Sequence, residues 1–200
     1  DVAARYSHYF GDVDVGISHF YGTSREPRLI PKQNVQNQVE LVPFYDRIHQ
    51  TGVDVQLTQD AWLWKVEAIR RTGQGSAYYG ATGGFEYTFF GLFDSAVDVG
   101  VTSEYLYDSR GEGGGSAFQN DVLTGVRFAL NDAQDTSMLV GVITDLDNGT
   151  QLFTMEASRR LGNTWKLTVE GSLFTGTPAG DPLHTLRNDD FIQVEVAKYF

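Results

Sequence analysis

The stretch TWKLTVEGSLF (164–174) alternates apolar and polar side chains at every second position over its whole length. Successive side chains of a β-strand point to opposite faces of a sheet, so this stretch predicts a strand with one apolar and one polar face. The predicted apolar face carries Trp165, Leu167, Val169, Gly171 and Leu173, and the other face carries Lys166, Thr168, Glu170 and Ser172. The last eleven residues, DFIQVEVAKYF (190–200), repeat the same device.

Period-two alternation continues along most of the chain, and helical periodicity is hard to find. The pattern predicts eleven strands of about 9–14 residues, which is longer than usual in soluble sheets and matches a tilted membrane crossing. The predicted strands cover residues 2–10, 12–22, 47–59, 61–72, 78–91, 95–107, 119–132, 136–146, 150–162, 164–176 and 189–200.

The predicted connections alternate between short and long. Short turns such as GD (11–12) and GNT (162–164) alternate with long loops, for which residues 23–46, 108–118 and 177–188 are the main candidates. Short turns at one end and long loops at the other are typical of an outer-membrane barrel. One long-end connection is contracted to DNGT (147–150), where Asn148 and Gly149 predict a type I′ hairpin turn.

Aromatic residues form two bands along the predicted strands. At the short-turn ends lie the three tryptophans with Phe10, Phe89, Phe93, Tyr199 and Phe200, and at the long-loop ends lie Tyr21, Tyr79, Tyr105, Tyr107, Phe174 and Phe191. Two aromatic bands with aliphatic residues between them are typical of girdles at the two membrane interfaces. Trp62, Trp64 and Trp165 are the predicted girdle tryptophans. A soluble sandwich with aromatic corners is the alternative.

Composition narrows the function classes. The 200 residues contain no cysteine, so a disulfide scaffold, a zinc ribbon and a thiol nucleophile are excluded. A formal net charge of −11 argues against nucleic-acid binding. No apolar run of about 18 residues predicts a membrane helix, and no signal peptide opens the chain, which reads as a mature or truncated product.

The chain resembles bacterial outer-membrane β-barrels of the porin type over essentially its whole length, and its last strand carries the most specific residues. Phe200 follows Ile192, Val194 and Val196 at alternate positions, and that family ends its last strand on an aromatic residue. The resemblance implies an outer-membrane location in a Gram-negative bacterium and makes Phe200 an assembly signal for the barrel-assembly machinery. Lys198 departs from the family, which usually has an aromatic or apolar residue there.

The fold expectation is therefore an all-β protein, a transmembrane antiparallel up-and-down β-barrel with residues 1–200 as one domain. The resemblance places the end of the last strand in the periplasm, so an even-stranded barrel requires at least one strand upstream of residue 1. We expect the visible eleven strands to belong to a complete barrel of twelve or more, lacking at least one N-terminal strand.

The inward face of such a barrel is predicted to be charged, with ten acidic and six basic side chains. The predicted lumen-lining residues are Arg5, Asp54, Lys65, Glu67, Arg71, Glu86, Asp98, Glu104, Arg127, Glu156, Arg160, Lys166, Glu170 and Glu195, and Asp14 and Asp145 complete the set. This face predicts either a water-filled, mildly cation-preferring path or an electrostatic network that bridges a narrow interior.

Three functional classes follow. The first is a channel, porin-like, for passive passage of small polar solutes or ions. The second is a non-conducting accessory or structural barrel that anchors an envelope assembly. The third is an outer-membrane lipid hydrolase or protease, for which His49 with Asp46 or Asp54, or His184 with Asp181, could form a dyad. We expect no enzyme, because no serine lies in a recognisable nucleophile context. His8 and His19 are predicted to face lipid.

The remaining motifs are weak. DLDNGT (145–150) resembles the start of a calcium loop but lacks a usable twelfth-position ligand, since Glu156 falls in the next strand. GEGGGS (111–116) lacks the lysine and helix of a phosphate loop. REPRLIPKQ (25–33) could line a constriction or meet lipopolysaccharide phosphates.

We expect no cofactor, metal or nucleic acid. The expected partners are outer-membrane lipids, lipopolysaccharide, the barrel-assembly machinery, and envelope proteins or further copies of the chain.

Overall fold

The computed structural model describes residues 1–114 and 116–200, with the side chains of residues 112 and 113 left out. Thirteen strands follow one another: β1 (Val2–Phe10), β2 (Val13–Thr23), β3 (Arg28–Gln33), β4 (Val39–Phe44), β5 (Arg47–Gln59), β6 (Trp62–Gly73), β7 (Gly75–Phe89), β8 (Asp98–Asp108), β9 (Asn120–Ala129), β10 (Ser137–Asp145), β11 (Gln151–Leu161), β12 (Trp165–Thr175) and β13 (Phe191–Lys198). Three short 3₁₀ turns cover Leu92–Asp94, Gly111–Gly114 and Pro182–Leu186.

Eleven of the strands form one antiparallel sheet in the order β1-β2-β5-β6-β7-β8-β9-β10-β11-β12-β13. Each strand pairs with its neighbours along this order, and β3 and β4 form a separate two-stranded hairpin between β2 and β5. Strands β1 and β13 are the two edges of the sheet and do not pair with each other. The prediction of an all-β chain with eleven long antiparallel strands is confirmed.

The strand boundaries differ from the prediction at a few places. Strand β7 begins at Gly75 instead of 78, and β8 begins at Asp98 instead of 95, because a 3₁₀ turn at Leu92–Asp94 precedes it. The hairpin of β3 and β4 lies inside the long segment that was predicted as a loop. Pro31 and Pro43 lower the strand signal there, and a two-stranded ribbon tolerates proline because both strands are edges.

Connection lengths are less strictly segregated than the sequence suggests. We call the end of the sheet that carries turns 11–12, 60–61 and 162–164 the short-turn end, and the opposite end, with segments 24–46, 109–119 and 176–190, the long-loop end. Two long-loop-end connections are short, at residues 74 and 146–150, and two short-turn-end connections are of intermediate length, at 90–97 and 130–136. Residue 115 of the predicted exposed loop 108–118 lies outside the described residues.

The predicted type I′ turn at Asn148 and Gly149 is wrong. The turn spans residues 146–150, and within it Gly149 alone has a positive φ, of 81°. A type I′ turn needs positive φ at both central residues. The Asp145 carboxylate instead accepts hydrogen bonds from the backbone N–H groups of Asp147 and Asn148, at 2.7 and 3.1 Å, and these bonds hold a wider turn.

The eleven-stranded sheet is a single layer, and its hydrophobic side chains are mostly exposed or half-buried. Among the described residues, the buried hydrophobic side chains are Ile48, Tyr78, Val99 and Leu183. A soluble domain buries one sheet face against a second layer. Here no second layer of the described chain covers either face, which is the unusual physical property of this fold.

Candidate functional site: the charged face of the sheet

Directly opposed residues in neighbouring strands project to the same side of a sheet, so the register divides the strand residues into two faces. We call the side that carries Asp54 and Glu67 the charged face, and the side that carries Val53 and Val66 the apolar face. All acidic side chains of the eleven strands lie on the charged face: Asp14, Asp54, Glu67, Glu86, Asp98, Glu104, Asp108, Asp121, Asp145, Glu156, Glu170 and Glu195. None lies on the apolar face of these strands.

The register also places the fourteen residues predicted to line a lumen together. Arg5, Asp54, Lys65, Glu67, Arg71, Glu86, Asp98, Glu104, Arg127, Glu156, Arg160, Lys166, Glu170 and Glu195 all lie on the charged face. The sequence therefore identified one surface, because a strand period of two fixes the face of every residue once the pairing is in register.

Ion pairs cross the charged face over glycines. Arg5 on β1 donates to Asp54 on β5 through two hydrogen bonds of 2.8 and 2.9 Å, although β2 lies between these strands. Gly16 on β2 opposes Asp54, and a Cβ at Gly16 would overlap Oδ2 of Asp54 and lie 2.5 Å from the Arg5 guanidinium and 2.6 Å from Oδ1 of Asp54. The glycine therefore leaves the space through which the two charges meet.

The same arrangement occurs twice more. Lys65 on β6 pairs with Glu104 on β8, and Gly84 on the intervening β7 directly opposes both residues. A Cβ at Gly84 would overlap the backbone carbonyl oxygen of Ser103 and would lie 2.7 Å from the Glu104 Cα and 2.8 Å from its Cγ, so the close approach of the β8 backbone also requires glycine here.

In the third arrangement, Glu86 on β7 pairs with Arg127 on β9 across Gly100 of β8, and a Cβ at Gly100 would lie 2.9 Å from Glu86. The sequence analysis identified the charged residues but not the glycines. A glycine on the strand between two strands that carry opposite charges is the pattern that could have predicted these ion pairs.

The charged side chains of β11 to β13 are arranged differently. Glu156 directly opposes Glu170, and Arg160 directly opposes Lys166. Among the described residues, these four side chains and Glu195 form no ion pair. Like charges that face each other across strands are destabilising unless water or a counter-ion screens them. This part of the charged face therefore requires a polar surrounding.

Two of the predicted lumen residues hold connections. Asp98 accepts hydrogen bonds from the backbone N–H of Gly91 and from Asn131, at 2.9 and 2.8 Å, so it fastens neighbouring connections at the short-turn end. Arg71 donates to Gln50 and pairs with Glu26 in the segment between β2 and β3.

The apolar face carries exposed hydrophobic side chains, whereas several acidic side chains of the charged face are half-buried or buried. Val66 on the apolar face is 53% exposed, whereas the side chain of Glu104 on the charged face is only 20% exposed. Exposed hydrophobic residues continue across the sheet from Ile17 on β2 to Val194 on β13. This order of burial is the reverse of that in a soluble sheet.

Charges on the apolar face are few, basic and terminal. They are Arg47 and Arg70 at the long-loop end and Arg159 and Lys198 at the short-turn end. His8 and His19, which were predicted to face lipid, also lie on this face. Cationic side chains have long apolar stems, and therefore they can lie at the margin of an apolar surface with their charge directed away from it.

The three predicted girdle tryptophans lie on the apolar face at the short-turn end. Trp62 and Trp64 stack with ring centroids 5.3 Å apart, and Trp62 also contacts Phe85 and Tyr87. Trp165 lies beside the Lys198 amine, which is 5.3 Å from its ring centroid.

The predicted aromatic band at the long-loop end needs one correction. Phe174 directly opposes Leu152, and Phe191 directly opposes Ser172, which lies two residues from Glu170 on the same strand face. Phe174 and Phe191 therefore lie on the charged face. The tyrosines of that band, Tyr21, Tyr79, Tyr105 and Tyr107, lie on the apolar face. At the short-turn end, Phe10, Phe89 and the three tryptophans lie on the apolar face, whereas Phe93, Tyr199 and Phe200 lie outside the strands.

The last residues carry the proposed assembly signal. Phe200 is fully exposed, beyond the end of β13, and the Lys198 amine lies 4.9 Å from its ring centroid. Lys198 is thus placed between two aromatic rings, those of Trp165 and Phe200.

A buried polar network at the long-loop end was not anticipated from the sequence. Asp145 accepts from the Gln119 amide at 3.2 Å, and Asp181 accepts from Asn148 and from Thr150 at 2.8 and 2.7 Å. These bonds join the turn 146–150 to the segments on either side of it. In the neighbouring loop, the Asp108 carboxylate raises the pKa of Arg110 by accepting its hydrogen bonds.

The residues of the hydrolase hypothesis do not come together. His49 lies on the apolar face and stacks on Tyr21, whereas Asp54 lies on the charged face and Asp46 binds Arg28. His184 Nδ1 lies 2.8 Å from the carbonyl oxygen of Thr177. Within the described ranges, no group of three or more His, Asp or Glu side chains is arranged to hold a metal ion.

Comparison with known proteins returns no family model, no curated protein and no solved structure that matches this chain. Among the described residues, no helix is long and apolar enough to cross a membrane.

Proposed function

We propose that this chain forms the wall of a transmembrane β-barrel in a bacterial outer membrane and that its charged face lines a path for small polar solutes or ions. The observation that carries the proposal is the separation of charge: the eleven strands place every acidic side chain on one face and leave an exposed apolar face without any. Lipid would cover the apolar face, and water the other.

The energetic argument rests on what covers the apolar face. Contiguous exposed apolar patches beyond a few hundred Å² are rare on soluble monomers. Hydrophobic residues such as Ile17, Val53 and Val66 would each gain about 1.5–3 kcal/mol on full burial away from water. A carboxylate in the same band would be costly in lipid, and the face has none.

Barrel closure would also satisfy the sheet edges. The backbone groups on the outer sides of β1 and β13 cannot stay unpaired in hydrocarbon, where each unsatisfied group costs several kcal/mol. In the proposed barrel these edges pair with further strands, since β1 and β13 both run from the long-loop end to the short-turn end and would be parallel if they paired directly. The resemblance at Phe200 supports an orientation with the short-turn end in the periplasm. The aromatic residues and the cations at both margins of the apolar face support its position between two membrane interfaces.

A conducting lumen is favoured by the unpaired charges of β11 to β13. Glu156, Glu170 and Glu195 require water or counter-ions around them, and a water-filled lumen provides both. The charged face carries twelve acidic strand residues (named above) against six basic ones, Arg5, Lys65, Arg71, Arg127, Arg160 and Lys166. This excess predicts a path that prefers cations, and salt will screen the preference.

A non-conducting accessory barrel is the second candidate. The three ion pairs that cross intervening strands favour it, because they stabilise the wall and leave these charges neutralised and unable to attract ions. In that case the charged face would be a structural network.

Planar-bilayer recording of the purified full-length protein separates the two candidates. The channel proposal expects discrete conductance steps and, under a salt gradient, a reversal potential on the cation-selective side. The variant Glu156→Gln/Glu170→Gln/Glu195→Gln should move the reversal potential toward zero, with Gln56→Glu, which adds an acid to the same face, as the opposite control. Full membrane insertion without any conductance would reject the channel and leave the accessory barrel.

A further inference from the structure

One part of the apolar face is polar and basic although it lies on the side that we assign to lipid. At the long-loop end, the register places His19, Thr51, Arg70 and Tyr79 in one row across β2, β5, β6 and β7. The next row toward the loops contains Tyr21, His49 and Thr72, and Arg47 lies one row further, beyond His49 on β5. We call these eight residues the basic patch.

Both arginines of the basic patch are positioned by tyrosines. The Arg47 guanidinium lies 4.8 Å from the ring centroid of Tyr21. Arg70 donates from Nε to the Tyr79 hydroxyl at 3.2 Å, and its guanidinium carbon lies 5.9 Å from the same ring. Contacts of this kind hold a guanidinium in place without neutralising its charge.

Neither arginine has a carboxylate partner within the described part of the chain. Arg71, the neighbouring cationic residue on β6, lies on the charged face and pairs with Glu26. Arg47 and Arg70 are exposed, so they present unpaired positive charge beside an apolar surface. The chain thus places uncompensated cations where it places no acid.

The positive charge is local. On β8 to β12, the same end of the apolar face carries uncharged residues, such as Tyr107, Thr144, Gln151 and Thr175. If these cations only marked a membrane margin, they would be expected around the whole rim. Their restriction to β5 and β6, with two histidines beside them, is more typical of a local binding site than of a continuous rim.

We infer that the basic patch binds the phosphate group of a phosphorylated acyl lipid, whose chains lie on the apolar face below it. A phosphate oxygen accepts charge-assisted hydrogen bonds from arginine, and acyl chains match residues such as Val53 and Val66, which continue the same face toward its centre. Charge and apolar surface meet at this patch, so an amphiphile fits it better than free phosphate. The inference rests on the proposed membrane location.

The test measures binding of dilauroyl phosphatidic acid to the purified full-length protein in a non-ionic maltoside detergent by titration calorimetry. Dilauroylglycerol, which lacks the phosphate, and inorganic phosphate, which lacks the chains, serve as comparison ligands. We expect Arg47→Gln/Arg70→Gln to weaken phosphatidic acid binding by about ten-fold or more, as loss of charge-assisted hydrogen bonds predicts. Arg159→Gln/Lys198→Gln, at the other end of the same face, should change it less than two-fold.

Several outcomes would overturn the inference. Equal binding of dilauroylglycerol would remove the role of phosphate, and equal binding of inorganic phosphate would make the patch an anion site without a lipid. Unchanged binding by the Arg47→Gln/Arg70→Gln variant, with folding verified by circular dichroism, would reject the patch. Insertion of the unmodified protein and of the Arg47→Gln/Arg70→Gln variant into phosphatidylcholine vesicles is measured in parallel. Failed insertion of the unmodified protein rejects the proposed function. Normal insertion with equal binding of phosphatidic acid and dilauroylglycerol rejects only the lipid site.

Discussion

Arg5 and Asp54 form a two-bond ion pair over Gly16, although a whole strand separates the strands that carry them. Neighbouring strands lie about 4.8 Å apart, so the pair spans roughly twice that distance, and only a long side chain over an empty position can do so. On this face, long charged side chains therefore pass over glycines that leave room for them. The arrangement ties three strands with one contact.

The first prediction concerns that glycine. Gly16→Ala should lower stability modestly, because the new methyl overlaps the ends of the Arg5 and Asp54 side chains and must displace an exposed ion pair. Gly141→Ala is the matched control on the same face, since its nearest atom would lie at an ordinary 3.4 Å. Urea unfolding of the refolded protein in detergent measures both. Equal stability of the two variants would mean that the Arg5–Asp54 pair relocates without cost.

The second prediction concerns orientation. Ser109 lies at the long-loop end and Asn163 in the turn between β11 and β12, and both residues are exposed. Because the chain has no cysteine, single cysteines can be introduced at either site without a background signal. In intact cells, a membrane-impermeant maleimide should label Ser109→Cys and not Asn163→Cys. The reverse labelling pattern would invert the proposed topology.

The third prediction concerns assembly. Phe200→Ala should reduce the folded fraction in cell envelopes far more than it reduces stability in detergent, because one exposed aromatic contributes at most about 1–3 kcal/mol. Heat-modifiable gel mobility reports the folded fraction in envelopes. Phe93→Ala removes an equally exposed phenylalanine from a turn at the same end and should leave assembly unchanged. Parallel losses in both assays for Phe200→Ala would reduce its role to packing.

The fourth prediction separates the two kinds of acid on the charged face. Glu86 and Glu104 are in ion pairs, so Glu86→Gln/Glu104→Gln leaves two cations unpaired and should lower stability. Glu156 and Glu170 face each other, so Glu156→Gln/Glu170→Gln relieves repulsion and should preserve or raise stability. Thermal melting in detergent compares the two double variants. A larger loss for the second pair would show that unseen cations neutralise it.

The sequence predicted the strands and their faces well because a strand period of two makes each side chain's face a local property. TWKLTVEGSLF alone assigned nine residues correctly between the two faces of β12. Features that depend on distant contacts were missed. The Asn148–Gly149 turn was predicted wrongly because Asp145 reorganises it, and the bonds from Asp181 to Asn148 and Thr150 join residues more than thirty positions apart.

Proline explains why the hairpin of β3 and β4 was predicted as a loop. Pro31 and Pro43 argue against regular strands in most sheets, but in the hairpin of β3 and β4 each lies on a strand with only one neighbour. The role of the glycines over which the ion pairs pass was also not predicted, because it depends on the pairing between strands. Gly16, Gly84 and Gly100 acquire meaning only when the register places them between partners of opposite charge.

The central claim is that lipid covers the apolar face and water the charged one, and a spin-label scan along β6 tests it most directly. Single cysteines at positions 62–70, labelled with a nitroxide in reconstituted vesicles, are measured for collision with oxygen and with a water-soluble nickel complex. The account predicts strict alternation: oxygen contact high at Trp64, Val66 and Ala68, and nickel contact high at Lys65, Glu67 and Ile69. Equal nickel contact on both faces would contradict it.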